Sequence, residues 1–336
     1  MSKLIQFNLK PIIAITIGDP VGIGPEVILK SLQQKEVYDR CLPLVIGDAQ
    51  ILSLQNYGVS LKIRPILNPL EAKYQRGTID VLHVPCDDFK KLKFGQPNIV
   101  SGALSAFCVK KSVELALNNI VHGLVHAPIS KKAWALAGVR FPGHTELIAA
   151  ECNIKKFGMA IASEPLRTVL ATRHISLKDV SKHLTKSAVS TAIFLAFNWM
   201  KQKKILKPKI GVCALNPHAG EKGLLGLEEI EIIGHAIKEA KSKISAELFG
   251  PLPADSAFKD HKQKKYDCLV TMYHDQSLIP LKLFSAERLV NITLGLPFPR
   301  TSPGHGTAFD IAGQKRADPS PMVQAILTAA ELTRTF

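Results

Sequence analysis

Continuous apolar, β-branched runs recur along this chain, each closed by turn residues, and they limit the fold more than any other feature. They are Ile12–Ile17, Leu44–Ile46, Val81–Val84, Leu124–Val125, Val169–Ala171, Ile210–Leu215, Leu269–Met272 and Leu289–Leu294. A strand that is apolar on both faces must be covered on both, as in a parallel sheet between helices. The intervening segments supply those helices. Apolar residues return at three and four spacing over Leu104–Leu117, Ser187–Met200 and Leu227–Ile244. Strand and helix patterns in alternation predict an α/β fold with a largely parallel sheet. A chain of 336 residues is long for one core, so two domains are expected. No repeat or low-complexity linker marks their boundary. The expected division puts 1–145 with 301–336 in one domain and 146–300 in the other, with a ligand cleft between them at strand carboxyl ends.

Composition excludes several classes. Hydrophobic residues make up 46% and charged residues 21%, the balance of a globular protein rather than a disordered one. No apolar run approaches the length of a membrane span. Met1–Lys10 has no apolar stretch of the kind a secretory leader needs. The six cysteines (Cys41, Cys86, Cys108, Cys152, Cys213, Cys268) are widely spaced with no Cys-x-x-Cys pair, which reads as reduced thiols in a cytoplasmic protein. The formal charge is +15, yet the dense stretches, Lys201–Lys209 and Lys259–Lys265, are poor in aromatics. A nucleic-acid surface would interleave stacking residues with its cations. These lysines read as solvated surface, and their field would help gather a small anionic substrate.

Five motifs carry candidate chemistry. Gly18-Asp19-Pro20-Val21-Gly22-Ile23-Gly24-Pro25-Glu26 follows the first strand, but its glycines do not make Gly-x-Gly-x-x-Gly, and no Gly-Lys-Ser/Thr follows. It reads as a tight strand-to-helix turn, with Gly24 as N-cap and Pro25 in the first turn. Histidines form the second motif: His174, His218 and His274 each stand a few residues past an apolar strand. Neutral imidazole suits zinc and its neighbours, and three such ligands leave one position open for substrate. In Phe141-Pro142-Gly143-His144-Thr145-Glu146, a Pro-Gly turn precedes a helix opened by His144 or Thr145, whose side chains could donate to a substrate. Lys282, Asn291 and Arg300 make the fourth motif. Arg300 lies in the proline-rich stretch Leu296–Pro303, read as a rigid loop that would hold its guanidinium toward a phosphate or carboxylate. The fifth, Gly304-His305-Gly306-Thr307-Ala308, is a glycine-flanked loop before a helix expected at Thr307, suited to close backbone approach to a ligand.

Together these stretches resemble the 4-hydroxythreonine-4-phosphate dehydrogenase family of pyridoxal phosphate biosynthesis. The resemblance also rests on Leu215-Asn216-Pro217-His218-Ala219-Gly220-Glu221, Gly250-Pro251-Leu252-Pro253-Ala254-Asp255, Tyr273-His274-Asp275-Gln276 and Val290-Asn291-Ile292-Thr293-Leu294-Gly295-Leu296-Pro297, and it runs nearly end to end after the first ten or so residues. It implies an isocitrate/isopropylmalate dehydrogenase-like fold of two α/β domains. It further implies a homodimer with active sites at the subunit interface. The family's metal ligands fall on His174, His218 and His274, the last expected from the partner subunit, and its substrate contacts on His144, Thr145, Lys282, Asn291 and Arg300. Gly304, His305, Gly306, Thr307 and Ala308 look like the family's adenosine-side cofactor loop for NAD or NADP. Two departures stand near the site: Ser277 where glycine is frequent, and Arg173 where a small polar residue is common.

The substrate implied is 4-phosphooxy-L-threonine, oxidised by NAD or NADP to 2-amino-3-oxo-4-(phosphooxy)butanoate, which loses carbon dioxide to leave 3-amino-2-oxopropyl phosphate. One divalent metal per site is implied, with imidazole ligation favouring zinc; cobalt and magnesium are the other candidates. Lys282, Asp255 and Asp275 are the candidates for the general base. Three rivals stand beside this reading. One is a dehydrogenase of a phosphorylated sugar acid such as phosphoerythronate or phosphothreonate. Another is a histidine-bound metallohydrolase, for which only Glu221 near His218 offers a carboxylate and no His-Glu-x-x-His helix exists. The last is a basic nucleic-acid-binding module, which rests on charge alone.

Overall fold

The computed structural model describes residues 10–54 and 59–334. The first nine residues, which carry most of the leader reading and of the apparent extension, lie outside the described residues. Twelve strands follow in chain order. The first six are Ile12–Thr16 (β1), Leu42–Gly47 (β2), Lys62–Ile66 (β3), Thr78–His83 (β4), Gly123–His126 (β5) and Gly158–Ser163 (β6). The rest are Leu166–Leu170 (β7), Lys209–Cys213 (β8), Glu247–Leu252 (β9), Cys268–Thr271 (β10), Val290–Leu294 (β11) and Arg300–Pro303 (β12). The described residues divide into two compact units, one within 10–155 with 296–334 and one of 156–295. The division from sequence stood at 145/146 and 300/301. The helix His144–Glu151 and the strand β12 account for the difference, since both pack on elements of the first unit.

In the first unit the strands run β3-β4-β2-β1-β5-β12, every neighbouring pair parallel. β1, β2 and β5 are almost entirely buried, as their continuous apolar sequences require. The long helix Ile99–Leu117 packs on this sheet; Asn98 caps it, accepting from the Ser101 N–H at 3.0 Å. Strand order reverses between β1 and β5, β2 to β4 lying on one side of β1 and β5 on the other, and open α/β sheets place ligands at such a point. Here the two loops close on each other: Asp19 N–H donates to Pro128 O at 2.8 Å. Gly18 has φ +71°, and a Cβ on it would lie 2.5 Å from Pro128 O.

In the second unit the order is β11-β6-β7-β10-β8-β9. β7, β10, β8 and β9 are parallel, whereas β6 runs antiparallel to both β7 and β11. The mostly parallel α/β class stands, with the antiparallel β6 as a refinement. β3, β6, β9 and β12 were absent from the sequence reading. β3 is partly exposed, β9 half-exposed, β6 is buried but rich in small residues, and β12 is short and polar.

Local expectations were corrected in four places. Arg300 begins the buried strand β12 rather than sitting in a loop. No helix starts at Thr307; the chain continues through turns to residue 315. Ile23, not Gly24, is the N-cap of Gly24–Ser31, with no side-chain cap bond. The helix expected over Leu227–Ile244 is a π-turn, Glu229–Ile233, running into a regular helix, Gly234–Lys241. All six cysteines are free, and only Cys152 is not fully buried. No helix among the described residues is long and apolar enough to cross a membrane.

The turn at Gly18 yields the first test. Gly18→Ala combines left-handed backbone strain with overpacking against Pro128, together costing about 2–4 kcal/mol. A fall in melting temperature on the order of 10 °C is expected by calorimetry, and an unchanged melting point would contradict the packing described.

Candidate active site

Two groups of predicted side chains come together, each within one unit. In the second unit the parallel register Val169↔Val270 and Leu170↔Thr271 continues past the strand ends. Ala171 N–H donates to Thr271 O at 2.8 Å, and Thr172 bonds Met272 O through both its N–H and its hydroxyl. His174 and His274, two residues further on each chain segment, therefore lie side by side, ring centroids 5.5 Å apart. His274 Nδ1 meets Asp275 Oδ1 at 2.7 Å. Histidines that bind metals commonly hold a carboxylate on the other ring nitrogen, which sets tautomer and orientation. Asp275, a candidate base from sequence, is thus engaged in orienting His274.

His218 is not equivalent to that pair. It lies after Pro217 in a turn whose residues His218 to Lys222 all have positive φ. Among the described residues no group of three His, Cys, Asp or Glu is placed to hold a metal. The pair does fit the chemistry of a divalent ion with imidazole ligands, lacking the third donor. The His218 turn is held from behind by Glu229, whose Oε1 accepts from the N–H groups of Leu215 and Asn216, both at 2.8 Å. Asn216 Nδ2 also bridges Glu228 at 2.8 Å and Glu229 at 3.0 Å. Glu229 is buried, and its Oε2 lies where a Cβ on Gly220 would go, so only glycine permits this approach. The sequence reading named Glu221 as the nearby carboxylate and passed over Glu229, which lies eleven residues beyond His218 in what looked like an ordinary helix.

The strand ends are tied together as well. Gln276 accepts from Met272 N–H at 2.7 Å and donates to Ala214 O at 2.8 Å, joining the ends of β10 and β8. Ser277, one of the two departures from the resemblance, is buried with its hydroxyl 2.7 Å from that of Thr271, so it fixes the helix to its strand. Arg173 stacks over Phe157 at 4.6 Å. Lys282 and Asp255 are exposed at the helices His274–Ser285 and Ala254–Lys262. Asn291, on β11, has a buried Oδ1 that meets no protein donor.

The second group belongs to the first unit. Gly143 precedes the helix His144–Glu151, which brings the His144 ring 5.6 Å from Trp134 and 5.0 Å from His126. Thr145 is buried beside it. His144 Nε2 is fully covered and meets no hydrogen-bond partner. Arg300 is only 1% exposed, and its Nε–H donates to His126 Nδ1 at 3.2 Å. Burial pulls the guanidinium down to about 9, opposed by Glu146. Burial first, then the charge of Arg300, holds both His126 and His144 well below the usual imidazole range, so both rings are neutral. His126 was not among the predicted residues. Its signal, a lone histidine ending the apolar strand β5, matched the pattern applied to the other three but lacked their motif.

The loop after β12 packs on the first turn of the chain. Ile23 N–H donates to Thr307 O at 3.0 Å, and that carbonyl lies 2.9 Å from where a Cβ on Gly22 would sit. His305 Nδ1 faces Gly306 O at 3.0 Å, its Nε2 is covered without a partner, and burial lowers its pKa. Gly304 is half-buried and Ala308 takes φ +41°. Asp19, at the base of the same turn, is fully buried, and desolvation raises its carboxyl to about 6 against the hydrogen bonds from Val21 and Ser101.

Comparison with known proteins places this architecture. The family model of the pyridoxal phosphate biosynthetic protein PdxA matches residues 39–329. A 4-hydroxythreonine-4-phosphate dehydrogenase of Desulforapulum autotrophicum is 41% identical over 324 residues, 96% of this chain and 95% of that one. A D-threonate 4-phosphate dehydrogenase of Pectobacterium atrosepticum is 39% identical over 328 residues, covering 96% of this chain and 100% of that one. The crystal structure of a 4-hydroxythreonine-4-phosphate dehydrogenase from Klebsiella pneumoniae superposes with TM-score 0.89 at 38% identity, over 96% of this chain and 100% of that one.

Two outcomes follow from this geometry. Imidazoles held neutral in the fold but titrating near 6.5 when unfolded lose stability as pH falls. The unfolded chain then binds protons that the native one does not, so stability should decline below about pH 6.5 by at most about 2.7 kcal/mol per pH unit for two such groups. Melting curves from pH 7.5 to 5 would show it, and a flat profile would count against neutral burial. Glu229→Ala leaves two backbone N–H groups without their acceptor, a cost of about 1–3 kcal/mol, readable as a lower melting temperature that Glu229→Gln partly restores.

Proposed function

The chain belongs to the pyridoxal phosphate biosynthetic protein PdxA family, and from that membership we propose that it oxidises 4-phosphooxy-L-threonine with a nicotinamide dinucleotide. Hydride leaves the carbon bearing the substrate's free hydroxyl for the nicotinamide ring, and the hydroxyl proton passes to a base. The resulting 2-amino-3-oxo-4-(phosphooxy)butanoate is a β-keto acid and loses carbon dioxide, leaving 3-amino-2-oxopropyl phosphate. The observation that carries this reading is the buried pair of Arg300 and the unpartnered Nε2 of His144 in the first unit. A desolvated cation beside a neutral imidazole with an unmet hydrogen bond is a receptor for an anionic group. Thr145, buried on the same helix turn, adds a hydroxyl. Asn291, with its buried Oδ1 unmet, and exposed Lys282 are the contacts proposed in the second unit.

His174, His274 and His218 are the proposed ligands of one divalent ion, and their imidazoles favour zinc or cobalt over magnesium. Such an ion would supply Lewis acidity to the substrate's oxygen functions. The pairing of His174 with His274 in one chain supports a revised share of the site between subunits, in which His218 rather than His274 is the donor set apart. A homodimer with the site at its interface is the assembly proposed. Lys282 and Asp255 stand as the candidate bases, Asp275 being engaged with His274. Gly304 to Ala308 are proposed to meet the adenosine side of NAD or NADP, where the unmet bonding capacity of the covered His305 Nε2 supports a ligand contact.

A second reading, oxidation of D-threonate 4-phosphate, is favoured by relatives of that name at 39% identity, against 41% for the 4-hydroxythreonine-4-phosphate dehydrogenase above. The two substrates share phosphate, carboxylate and reacting hydroxyl and differ in an amino group against a hydroxyl at the neighbouring carbon. Reduction of NAD and NADP followed at 340 nm with each substrate separates them. The first reading expects a kcat/KM higher for 4-phosphooxy-L-threonine by at least about tenfold, the worth of one charged hydrogen bond. The reverse preference would establish the second reading, and no reduction with either would sink both.

A further inference from the structure

We propose that His126 is a positioning residue for Arg300, accepting the guanidinium Nε–H on an imidazole whose tautomer Ser112 fixes. The inference rests on the reading of Arg300 as a receptor for a substrate anion, and it concerns a residue outside the family motifs described above.

The placement follows from the sheet. β12 lies parallel to β5 with Arg300 opposite Leu124. Side chains alternate along a strand, so Leu124 and His126 share a face. His126 is then the diagonal neighbour of Arg300 on that face, within reach of a long side chain. The helix Ile99–Leu117 covers this face and brings Ser112 against the far edge of the His126 ring. All three side chains are buried.

The direction of every hydrogen bond in the chain is determined by chemistry. Ser112 Oγ lies 2.6 Å from Val109 O, and a carbonyl only accepts, so the hydroxyl hydrogen points there. Toward His126 Nε2, at 3.2 Å, the Ser112 oxygen must accept, which places the ring hydrogen on Nε2. His126 Nδ1 is then bare. It faces Arg300 Nε–H, which only donates. The two ends of the chain, a carbonyl at one and a guanidinium at the other, thus demand the same tautomer. A second ring proton would set N–H against N–H, and burial with the neighbouring charge already disfavours it.

Holding Nε restrains the plane of a guanidinium, because Nε and both terminal nitrogens are coplanar. A forked donor binds an oxyanion well only when that plane is already set. His126 would therefore act on substrate affinity through Arg300 without touching substrate.

The test is a kinetic series with 4-phosphooxy-L-threonine, each variant checked by melting temperature. His126→Leu removes the acceptor and is expected to raise KM about tenfold, with kcat changed less, for loss of one hydrogen bond to a charged group. His126→Asn puts an oxygen where Nδ1 stood and should recover most of the loss, a rescue that a purely structural role would not show. Arg300→Gln should raise KM further, and adding His126→Leu to it should change little, since coupled residues are not additive. Equal KM values for Leu and Asn variants, or full additivity, would overturn the proposal. An unchanged KM in Arg300→Gln would instead remove the reading of Arg300, and the functional part of this proposal with it. Nitrogen-15 chemical shifts of His126 in the wild-type protein provide the arm that needs no turnover and no variant. A protonated Nδ1 would refute the tautomer, and an Nε2–H ring is expected.

Discussion

The parallel register between neighbouring strands decides where the chemistry of this protein can stand. In the second unit β7 and β10 run in step, and their ladder continues through Ala171 and Thr172, so the residues two places further on arrive together. His174 and His274 are neighbours for that reason and no other. In the first unit the step between β5 and β12 sets Arg300 diagonal to His126. Each pairing depends on backbone hydrogen bonds far more numerous than the side-chain contacts they arrange, and such scaffolds hold site residues more exactly than loops can.

Around these registers the fold places carboxylates, amides and hydroxyls that orient the reactive groups from behind. Glu229 gathers the N–H groups of Leu215 and Asn216 beneath the His218 turn. Asp275 holds one nitrogen of His274, and Gln276 ties the strand ends that precede both turns. In the first unit Ser112 plays that part for His126. Among the described residues the covered polar atoms without a partner include His144 Nε2, Asn291 Oδ1 and His305 Nε2, each on a residue proposed to meet a ligand. Buried polar groups are almost always satisfied, and groups left over are where a ligand has something to gain.

Buried charge adds a second constraint. Arg300 is a fully buried guanidinium in a strand, with its pKa drawn down by desolvation and partly restored by Glu146. Removing a cation from water is costly unless it is compensated. The neutral histidines beside it follow from the same field, since a protonated imidazole there would face both desolvation and repulsion. Loss of stability at mildly acid pH and the anion-binding role proposed for Arg300 are consequences of one electrostatic arrangement.

The sequence by itself determined the α/β class, eight of the strands and the main helices, because continuous apolar runs and helical spacing report burial directly. It also marked His144, His174, His218, His274, Asn291 and Arg300, since residue type and strand-end position are both written in the chain. Only the tertiary structure decided which of them meet. Register between strands a hundred residues apart leaves no local trace, so the pairing of His174 with His274 and the displacement of His218 were invisible. β12 looked like a loop because prolines surround it, and burial in the sheet overrode that local signal. His126 and Glu229 carried no motif at all. Their roles come from what lies across the fold from them, which residue spacing cannot express.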